Sequence, residues 1–297
     1  MRILAARAAL LLAALPAAAG ATPLRATHGA TTTNVYLLNL ESGEVRALTG
    51  NRPSDEDALA YSPALSPSGT RLAFALTSCH YCSSTIRVST VGTRNWRGRA
   101  VAPGFQPAWA PGGALVFARP DGAIAITSRS LSRPRVLIRG GLANATPRWQ
   151  PHGDRLAFAR QVTASSWQVF TVRGDGTGLT RVTRGTRSAV DPAWSPDGRR
   201  LAFAQQQPAG RWQVCIRSLA GSPVRCLRSR ASDTQPAWSP DGSRLAFVRQ
   251  TGLASRIWLV RPDGRDPRPV ALPPASVSAL QPSWSPRNEL LFVGRIG

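Results

Sequence analysis

A short pattern, Pro-x-Trp-Ser-Pro-x-Gly-x-x-Leu-Ala-Phe, recurs with variations six times along this chain. Its third position is occupied in turn by Leu65, Trp109, Trp149, Trp194, Trp238 and Trp284. The steps between these positions are 44, 40, 45, 44 and 46 residues. A period of about 40–45 residues is typical of a four-stranded propeller blade. The repeat therefore predicts an all-β, six-bladed β-propeller built from four-stranded antiparallel blades.

Each repeat contains the signals for four strands. In the fourth copy, residues 192–194 predict a short first strand, which a tight turn at residues 195–198 connects to a second strand at residues 201–204. Proline presets φ in this turn and glycine supplies a positive φ. Apolar runs at residues 212–216 and 223–227 predict the third and fourth strands.

The two ends of the chain are predicted to share one blade. Residues 281–293 contain the first two strands of a repeat and then the pattern stops, whereas residues 34–48 have the pattern of a third and a fourth strand. Joining the two segments completes a sixth blade and closes the ring, which leaves only short, protected edge strands.

The second strand of a repeat has a bulky side and a small side. Leu201 and Phe203 point one way, and Ala202 and Ala204 point the other way. We expect the bulky side of one blade to pack on the small side of its neighbour, with the repeated tryptophans in the core.

The repeated unit resembles the WD40-like, or PD40, repeat of the TolB-type propellers. Residues 191–203 and 235–247 match that repeat closely, and the resemblance covers nearly all of the chain after its first residues. It implies a propeller fold and export. TolB proteins carry a further N-terminal domain for which residues 22–32 leave no room, so we do not extend the resemblance to the Tol–Pal system. Propellers host binding, lyase and hydrolase functions alike.

Residues 1–21 are predicted to form a secretory signal peptide. Arginines at its start precede a short apolar run at residues 8–15, and small residues allow cleavage after Ala19 or Ala21. This apolar run is shorter than a transmembrane helix requires. An N-terminal core helix is the alternative interpretation, but nothing caps or continues it.

These boundaries predict a flexible tail over residues 22–32 and the propeller over residues 33–297. We expect an exported protein, periplasmic or extracellular in a bacterial cell envelope, that does not span the membrane and is monomeric.

The charge of the chain is strongly positive. All 37 basic residues are arginine and only 15 acidic residues oppose them, which gives a formal net charge of +22. A field of this sign attracts polyanions. Export and the lack of a nucleic-acid-binding module argue against nucleic acid. The expected partner is therefore a protein or an anionic envelope polymer.

Four cysteines in an exported chain predict disulfides. Cys215 and Cys226 fall opposite each other on adjacent predicted strands, within reach of a bond. Cys79 and Cys82 lie in a loop, where a local bridge is expected. A zinc site that includes His80 and a redox motif are the alternatives for this second pair.

Two sets of polar residues recur at equivalent positions and are candidate ligand-binding residues. The first set precedes the first proline of each repeat and would ring one channel mouth: Ser62, Gln106, Thr146, Asp191, Gln235 and Gln281. The second set follows the second strand and would concentrate positive charge: Arg119, Arg160, Arg249 and Arg295, with Gln205 at the corresponding position of the fourth copy. In the alternative interpretation, the first set serves only to form hydrogen bonds with backbone groups of the turns. The second set would then be solvent-exposed arginines at the rim that pair with scattered acidic residues.

No catalytic motif stands out. The chain has 3 histidines and lacks Gly-x-Ser-x-Gly and His-Glu-x-x-His motifs. We therefore expect no catalytic residues, no metal and no cofactor. The sequence favours an exported, non-enzymatic propeller that binds a protein partner or an anionic envelope component. The alternative is a propeller lyase or hydrolase that acts on a ligand in the central channel.

Overall fold

The computed structural model of the chain describes residues 33–50, 59–77, 83–221, 223–252, 254–272 and 276–296. Two strands, β1 (Asn34–Leu38) and β2 (Val45–Ala47), precede the first complete blade. Five blades follow in chain order, each listed from its innermost strand outward. Blade 1 is β3 (Leu59–Leu65), β4 (Arg71–Thr77), β5 (Thr85–Thr90) and β6 (Arg99–Pro103). Blade 2 is β7 (Phe105–Trp109), β8 (Leu115–Ala118), β9 (Ile124–Ile126) and β10 (Arg135–Ile138).

The remaining strands repeat this order. Blade 3 is β11 (Asn144–Trp149), β12 (Arg155–Gln161), β13 (Trp167–Arg173) and β14 (Thr180–Arg181). Blade 4 is β15 (Ala189–Trp194), β16 (Arg200–Gln206), β17 (Trp212–Ser218) and β18 (Arg225–Cys226). Blade 5 is β19 (Ser232–Trp238), β20 (Leu245–Thr251), β21 (Ala254–Val260) and β22 (Arg268–Pro269). Blade 6 is β23 (Ser276–Trp284) and β24 (Leu290–Ile296), completed by β1 and β2.

Blade 6 closes the ring as the sequence predicts. Its strand order is β23-β24-β1-β2, and β1 pairs antiparallel with β24 from Asn34 opposite Gly294 to Leu38 opposite Leu290. The predicted meeting of residues 34–48 with residues 281–293 is thus confirmed. Among the described residues there is no helix that is long and apolar enough to cross a membrane.

The core lies between the blades. The second strand of every blade contributes one fully buried phenylalanine: Phe74, Phe117, Phe158, Phe203, Phe247 and Phe292. Phe203 packs with Ala157 of blade 3, and Phe247 packs with Ala202 of blade 4. The predicted packing of a bulky side on a small side is confirmed. Such interdigitation excludes water and fixes the angle between neighbouring blades.

Three of the five repeated tryptophans, Trp109, Trp194 and Trp284, join neighbouring blades by a hydrogen bond as well as by packing. Trp109, Trp194 and Trp238 are buried. The indole N–H of Trp109 donates to the Ala64 carbonyl of the preceding blade at 3.0 Å, and that of Trp194 donates to the Arg148 carbonyl at 3.0 Å. The indole ring therefore belongs to the core, as expected, and it holds one innermost strand against the next.

One of the two predicted disulfides lies in the described part of the chain. Cys215 on β17 faces Cys226 on β18 in the strand register, and the two sulfurs are bonded. This bond ties the short outer strand of blade 4 to its neighbour and confirms the prediction. Cys79 and Cys82, with His80, lie outside the described residues, as do the predicted signal peptide and tail.

The ring closure can be tested by cross-linking. Val35 and Val293 face each other across β1 and β24 and share one core cluster. The double substitution Val35→Cys and Val293→Cys is expected to give a disulfide on oxidation, because opposed Cβ atoms in a strand pair lie within bonding range. Mass spectrometry of the digested protein detects the linked peptides.

The matched control combines Val35→Cys with Phe292→Cys. Phe292 lies one residue away in the sequence, but its side chain packs in the core cluster on the opposite side of the blade. The control pair should stay unlinked. Equal linkage in both variants would contradict the register described above.

The native disulfide makes a second prediction about stability. It closes a loop with a sequence separation of 11 residues. Replacing both Cys215 and Cys226 with alanine is expected to lower the free energy of unfolding by about 2–3 kcal/mol, since a cross-link of this loop size restricts the unfolded chain. Urea denaturation of the variant and the parent measures the difference, and a variant as stable as the parent would refute the effect.

Candidate functional site in the central channel

The innermost strands of the six blades surround a central cavity of about 470 Å³. The prolines of the Ser-Pro turns and their equivalents surround its mouth: Pro67, Pro111, Pro151, Pro196, Pro240 and Pro286. The volume lies within the range of about 300–1,000 Å³ that is usual for small-molecule sites. The cavity is therefore large enough for a small ligand or for the end of a larger partner.

All six residues of the first predicted set line this cavity: Ser62, Gln106, Thr146, Asp191, Gln235 and Gln281. Each of them has a positive φ, between 48° and 53°, which is uncommon for residues other than glycine. The strand register shifts at this point in every innermost strand, for example between Val190 and Ala193. A β-bulge thus turns one polar residue of every blade into the channel.

Several of these side chains already bond to the next blade. The Gln106 side-chain oxygen accepts the Thr146 backbone N–H at 2.8 Å, and the Gln235 oxygen accepts the Gln281 N–H at 2.8 Å. The Gln281 oxygen accepts the Ser62 N–H at 2.5 Å. Asp191 accepts the Gln235 N–H in the same way. These residues therefore satisfy bulge backbone between blades, and their predicted contact with a ligand remains a prediction.

Among the described residues, the circle of hydrogen bonds is interrupted at its two short members, Ser62 in blade 1 and Thr146 in blade 3. Thr146 lies at the junction with blade 4. Its side chain is shorter than glutamine, and its hydroxyl oxygen is buried without a hydrogen-bond partner among the described residues. A buried polar atom without a partner carries a desolvation cost that a ligand could relieve. The junction of blades 3 and 4 is thus the place where the channel wall offers a free hydrogen-bonding group.

Arg148 occupies the same junction and breaks the sixfold pattern. It stands between the proline and the tryptophan of its repeat, where the other copies have only small residues: Ala64, Ala108, Ala193, Ala237 and Ser283. The residue lines the cavity, and one nitrogen of its guanidinium donates to the Pro147 carbonyl at 2.9 Å. Within the described part of the chain, no carboxylate lies within 4.0 Å of the guanidinium, the limit for an ion pair. Arg148 is therefore the one long, charged side chain at this position of the six repeats.

Asp191 supplies the opposite charge from blade 4. Burial raises the pKa of its carboxyl, whereas the Arg148 charge and the Gln235 N–H act to lower it. Burial likewise lowers the pKa of the Arg148 guanidinium, and the Asp191 charge acts to raise it. The two groups influence each other without forming a direct ion pair, so both retain capacity for a ligand.

The second predicted set does not join the first. Arg119, Arg160 and Arg249 lie at the far ends of their blades' second strands and do not line the cavity. Arg119 pairs with Asp121 at 3.1 Å on the surface. Arg160 donates to the Asn144 side chain at 2.8 Å and lies over the Phe158 ring. The Cα atom of Arg295 lies opposite that of Ser278 in the strand register.

Arg249 shows what such an arginine does in the fold. It donates to both carboxylate oxygens of Asp233, at 2.7 Å and 2.8 Å, and it stacks on the Trp258 ring at 4.2 Å. Asp233 is only 1% exposed. This bidentate, partly buried pair and the ring contact connect the first three strands of blade 5. Anion binding by the second set stays a prediction, and in the described members the guanidinium already has a partner.

Arg148 is the channel residue that sequence reasoning missed. Aligning the six copies reveals it as the one long side chain at its position, but the sequence does not show that this position faces the cavity. The cavity also contains His152, in the turn of blade 3 at the mouth. No group of three or more potential metal ligands of the histidine, cysteine or acid types occurs among the described residues.

Comparison with known proteins identifies the fold and the family. Residues 54–288 match the family model of the TolB beta propeller domain, PD40. No curated protein matches the sequence significantly. Among solved structures, a putative TolB from Agrobacterium tumefaciens superposes with a TM-score of 0.73 at 18% identity, and the match covers 89% of this chain and 98% of that one.

Two further structures show how widely the architecture is used. TolB from Acinetobacter baumannii matches with a TM-score of 0.64 at 14% identity over 89% of this chain and 63% of its own. An oligogalacturonate lyase in complex with manganese matches with a TM-score of 0.57 at 14% identity, over 90% and 83% of the two chains. Identities this low establish a shared fold and no shared activity. The family match covers most of the sequence, and the chain belongs to the TolB β-propeller family.

Proposed function

We propose that this protein is an exported, non-enzymatic binding protein whose central channel receives a protein partner or an anionic component of the cell envelope. The observation that carries the proposal is Arg148, a cation in the cavity wall that has no ion-pair partner among the described residues. A half-buried cation of this kind is stabilised when a ligand brings a carboxylate or phosphate to it.

The surface charge supports an anionic partner. With 37 arginines against 15 acids, the chain carries a formal charge of +22. Such a field raises the rate at which negatively charged molecules meet the protein. Surface attraction brings the partner to the protein, and contact with Arg148 in the channel would then supply specificity.

Family membership and the disulfide support the rest of the proposal. The TolB propeller family supports protein binding as the general role. The bond between Cys215 and Cys226 suits an oxidising compartment outside the cytoplasm. Together with the predicted signal peptide at residues 1–21, it favours a periplasmic or extracellular location. The propeller itself would begin at residue 33, after the tail of residues 22–32.

One observation favours the alternative of a channel lyase or hydrolase. Burial raises the pKa of Asp191, as a general acid or base requires, and His152 lies in the same cavity. However, the Asp191 carboxyl already accepts the backbone N–H of Gln235 in blade 5, which gives it a structural role. We therefore favour binding. Turnover of acidic polysaccharides or peptides by the purified protein, lost in an Asp191→Asn variant, would establish the alternative.

The proposal predicts the effect of one substitution in the channel. Arg148→Ala reproduces the residue present at this position in four other repeats, so the fold should tolerate it. Retention of the partner from envelope extract on the immobilised protein is expected to weaken by about tenfold or more, as for loss of one buried charge contact. Quantitative mass spectrometry of the retained material measures the change.

The matched control is Arg256→Ala. Arg256 is an exposed residue on β21 outside the cavity, and its replacement removes the same charge. The control variant should retain the partner nearly as well as the parent. If the two variants behave alike, recognition does not involve the channel and the proposal fails.

Salt separates channel recognition from surface attraction. Raising the ionic strength shortens the Debye length and should slow capture by parent and variant alike. The difference between the parent and Arg148→Ala should persist, because a buried pair is screened much less. A difference that vanishes at high salt would show that only the surface field acts.

A further inference from the structure

The junction of blades 3 and 4 carries three unusual groups close together in the channel. Thr146 and Arg148 belong to β11, and Asp191 belongs to the neighbouring innermost strand β15. All three line the cavity. The other repeats present amide or hydroxyl side chains at the ring position and small residues at the position of Arg148. The charged groups of the channel wall are thus gathered at one of its six junctions.

The arrangement has one cation, one anion and one neutral group that can accept or donate a hydrogen bond. Arg148 and Asp191 are too far apart for an ion pair, since no contact between them falls within 4.0 Å. The Thr146 hydroxyl has no partner among the described residues. Because the two opposite charges do not contact each other, a ligand in the cavity can contact both of them. An anionic group alone would satisfy only Arg148, whereas a ligand that also carries a positive charge would satisfy Asp191 as well.

We infer that this junction binds the zwitterionic group of an amino acid or short peptide, with its carboxylate on Arg148 and its ammonium on Asp191. The Thr146 hydroxyl accepts a further hydrogen bond from the ammonium or the amide of the ligand. This inference rests on the proposed function, because it takes the channel as the binding site, and it names the ligand class. The fork of a guanidinium matches a carboxylate, and an ammonium carries three donors for carboxylate and hydroxyl oxygens.

The surroundings suit the rest of such a ligand. Trp149 of blade 3, which is only partly buried, lines the same cavity. Its ring offers apolar surface to the side chain of a bound residue. The cavity of about 470 Å³ falls in the range of small-molecule sites and has room beyond the charged groups.

The test uses the dipeptide Ala-Ala as the probe, in its free, N-acetylated and C-amidated forms. Isothermal titration calorimetry with the purified protein measures the three affinities. The free form should bind at least about tenfold more tightly than either blocked form, since each block removes one charge contact. Equal affinity of the free and blocked forms would overturn the inference, as would no binding of the free form at about 10 mM, above the usual millimolar range of weak sites.

Substitutions assign each contact. Asp191→Gln introduces the residue that three other blades have at the ring position, and it should abolish the preference for the free ammonium over the acetylated form. Arg148→Ala should abolish the preference for the free carboxylate over the amide. Thr146→Val removes a hydroxyl that has no hydrogen-bond partner among the described residues. This substitution should lower the affinity for the free dipeptide by about threefold to tenfold. Arg256→Ala should change none of these affinities.

The outcomes distinguish the two proposals. If the parent protein binds the free and blocked dipeptides equally, but capture of the partner still depends on Arg148, this inference is refuted and the proposed function stands. If the parent prefers the free dipeptide, but capture of the partner does not depend on Arg148, the inference stands and the proposed function is refuted. Circular dichroism of every variant shows that the fold is retained, so a change in affinity is not mistaken for unfolding.

Discussion

Contact between the large side of one blade and the small side of the next governs this structure. A phenylalanine such as Phe203 has room only because the facing position is the alanine Ala157. The same complementarity recurs where Phe117 packs with Ala73, Phe247 with Ala202 and Phe292 with Ala246. Such packing holds the blades together around the channel at the axis. The width of the channel, and therefore what can enter it, follows from packing at a distance from it.

Much of the fold could be predicted because its determinants are local or periodic. The spacing of the tryptophan positions gives the blade count, and glycine and proline in the Ser-Pro turns define where strands begin and end. The pairing of Cys215 with Cys226 follows from counting residues outward from one turn. The closing of the ring follows from two incomplete repeats at the ends of the chain.

The channel was harder to predict, because its wall depends on distances between blades. The positive φ of residues such as Gln106 and Gln235, and the bonds from their side chains to the next blade, arise from a bulge that the sequence does not mark. The contacts of the second arginine set were hard to predict for a related reason. Arg249 finds an acidic and an aromatic partner within its own blade, and only the three-dimensional structure reveals those partners.

Near-symmetry separates architecture from specificity in this protein. Features present in all blades, such as the bulge and the buried phenylalanine, keep the ring intact. Features present once, above all Arg148 beside Asp191, have no role that the other blades need. A charge present in one blade of six incurs a desolvation cost that the other five blades do not have, and the proposed binding function would account for it.

The division of blade 6 between the two ends of the chain also governs how the protein acquires its shape. Strands β23 and β24 are made last, yet they supply the partner that β1, made first, requires. Until they arrive, the nascent polypeptide is an open arc with an uncovered flank at each end, and the axial cavity lacks one wall. Contacts this remote in sequence form slowly. The axial cavity is therefore complete only after β24 has been synthesised and has paired with β1.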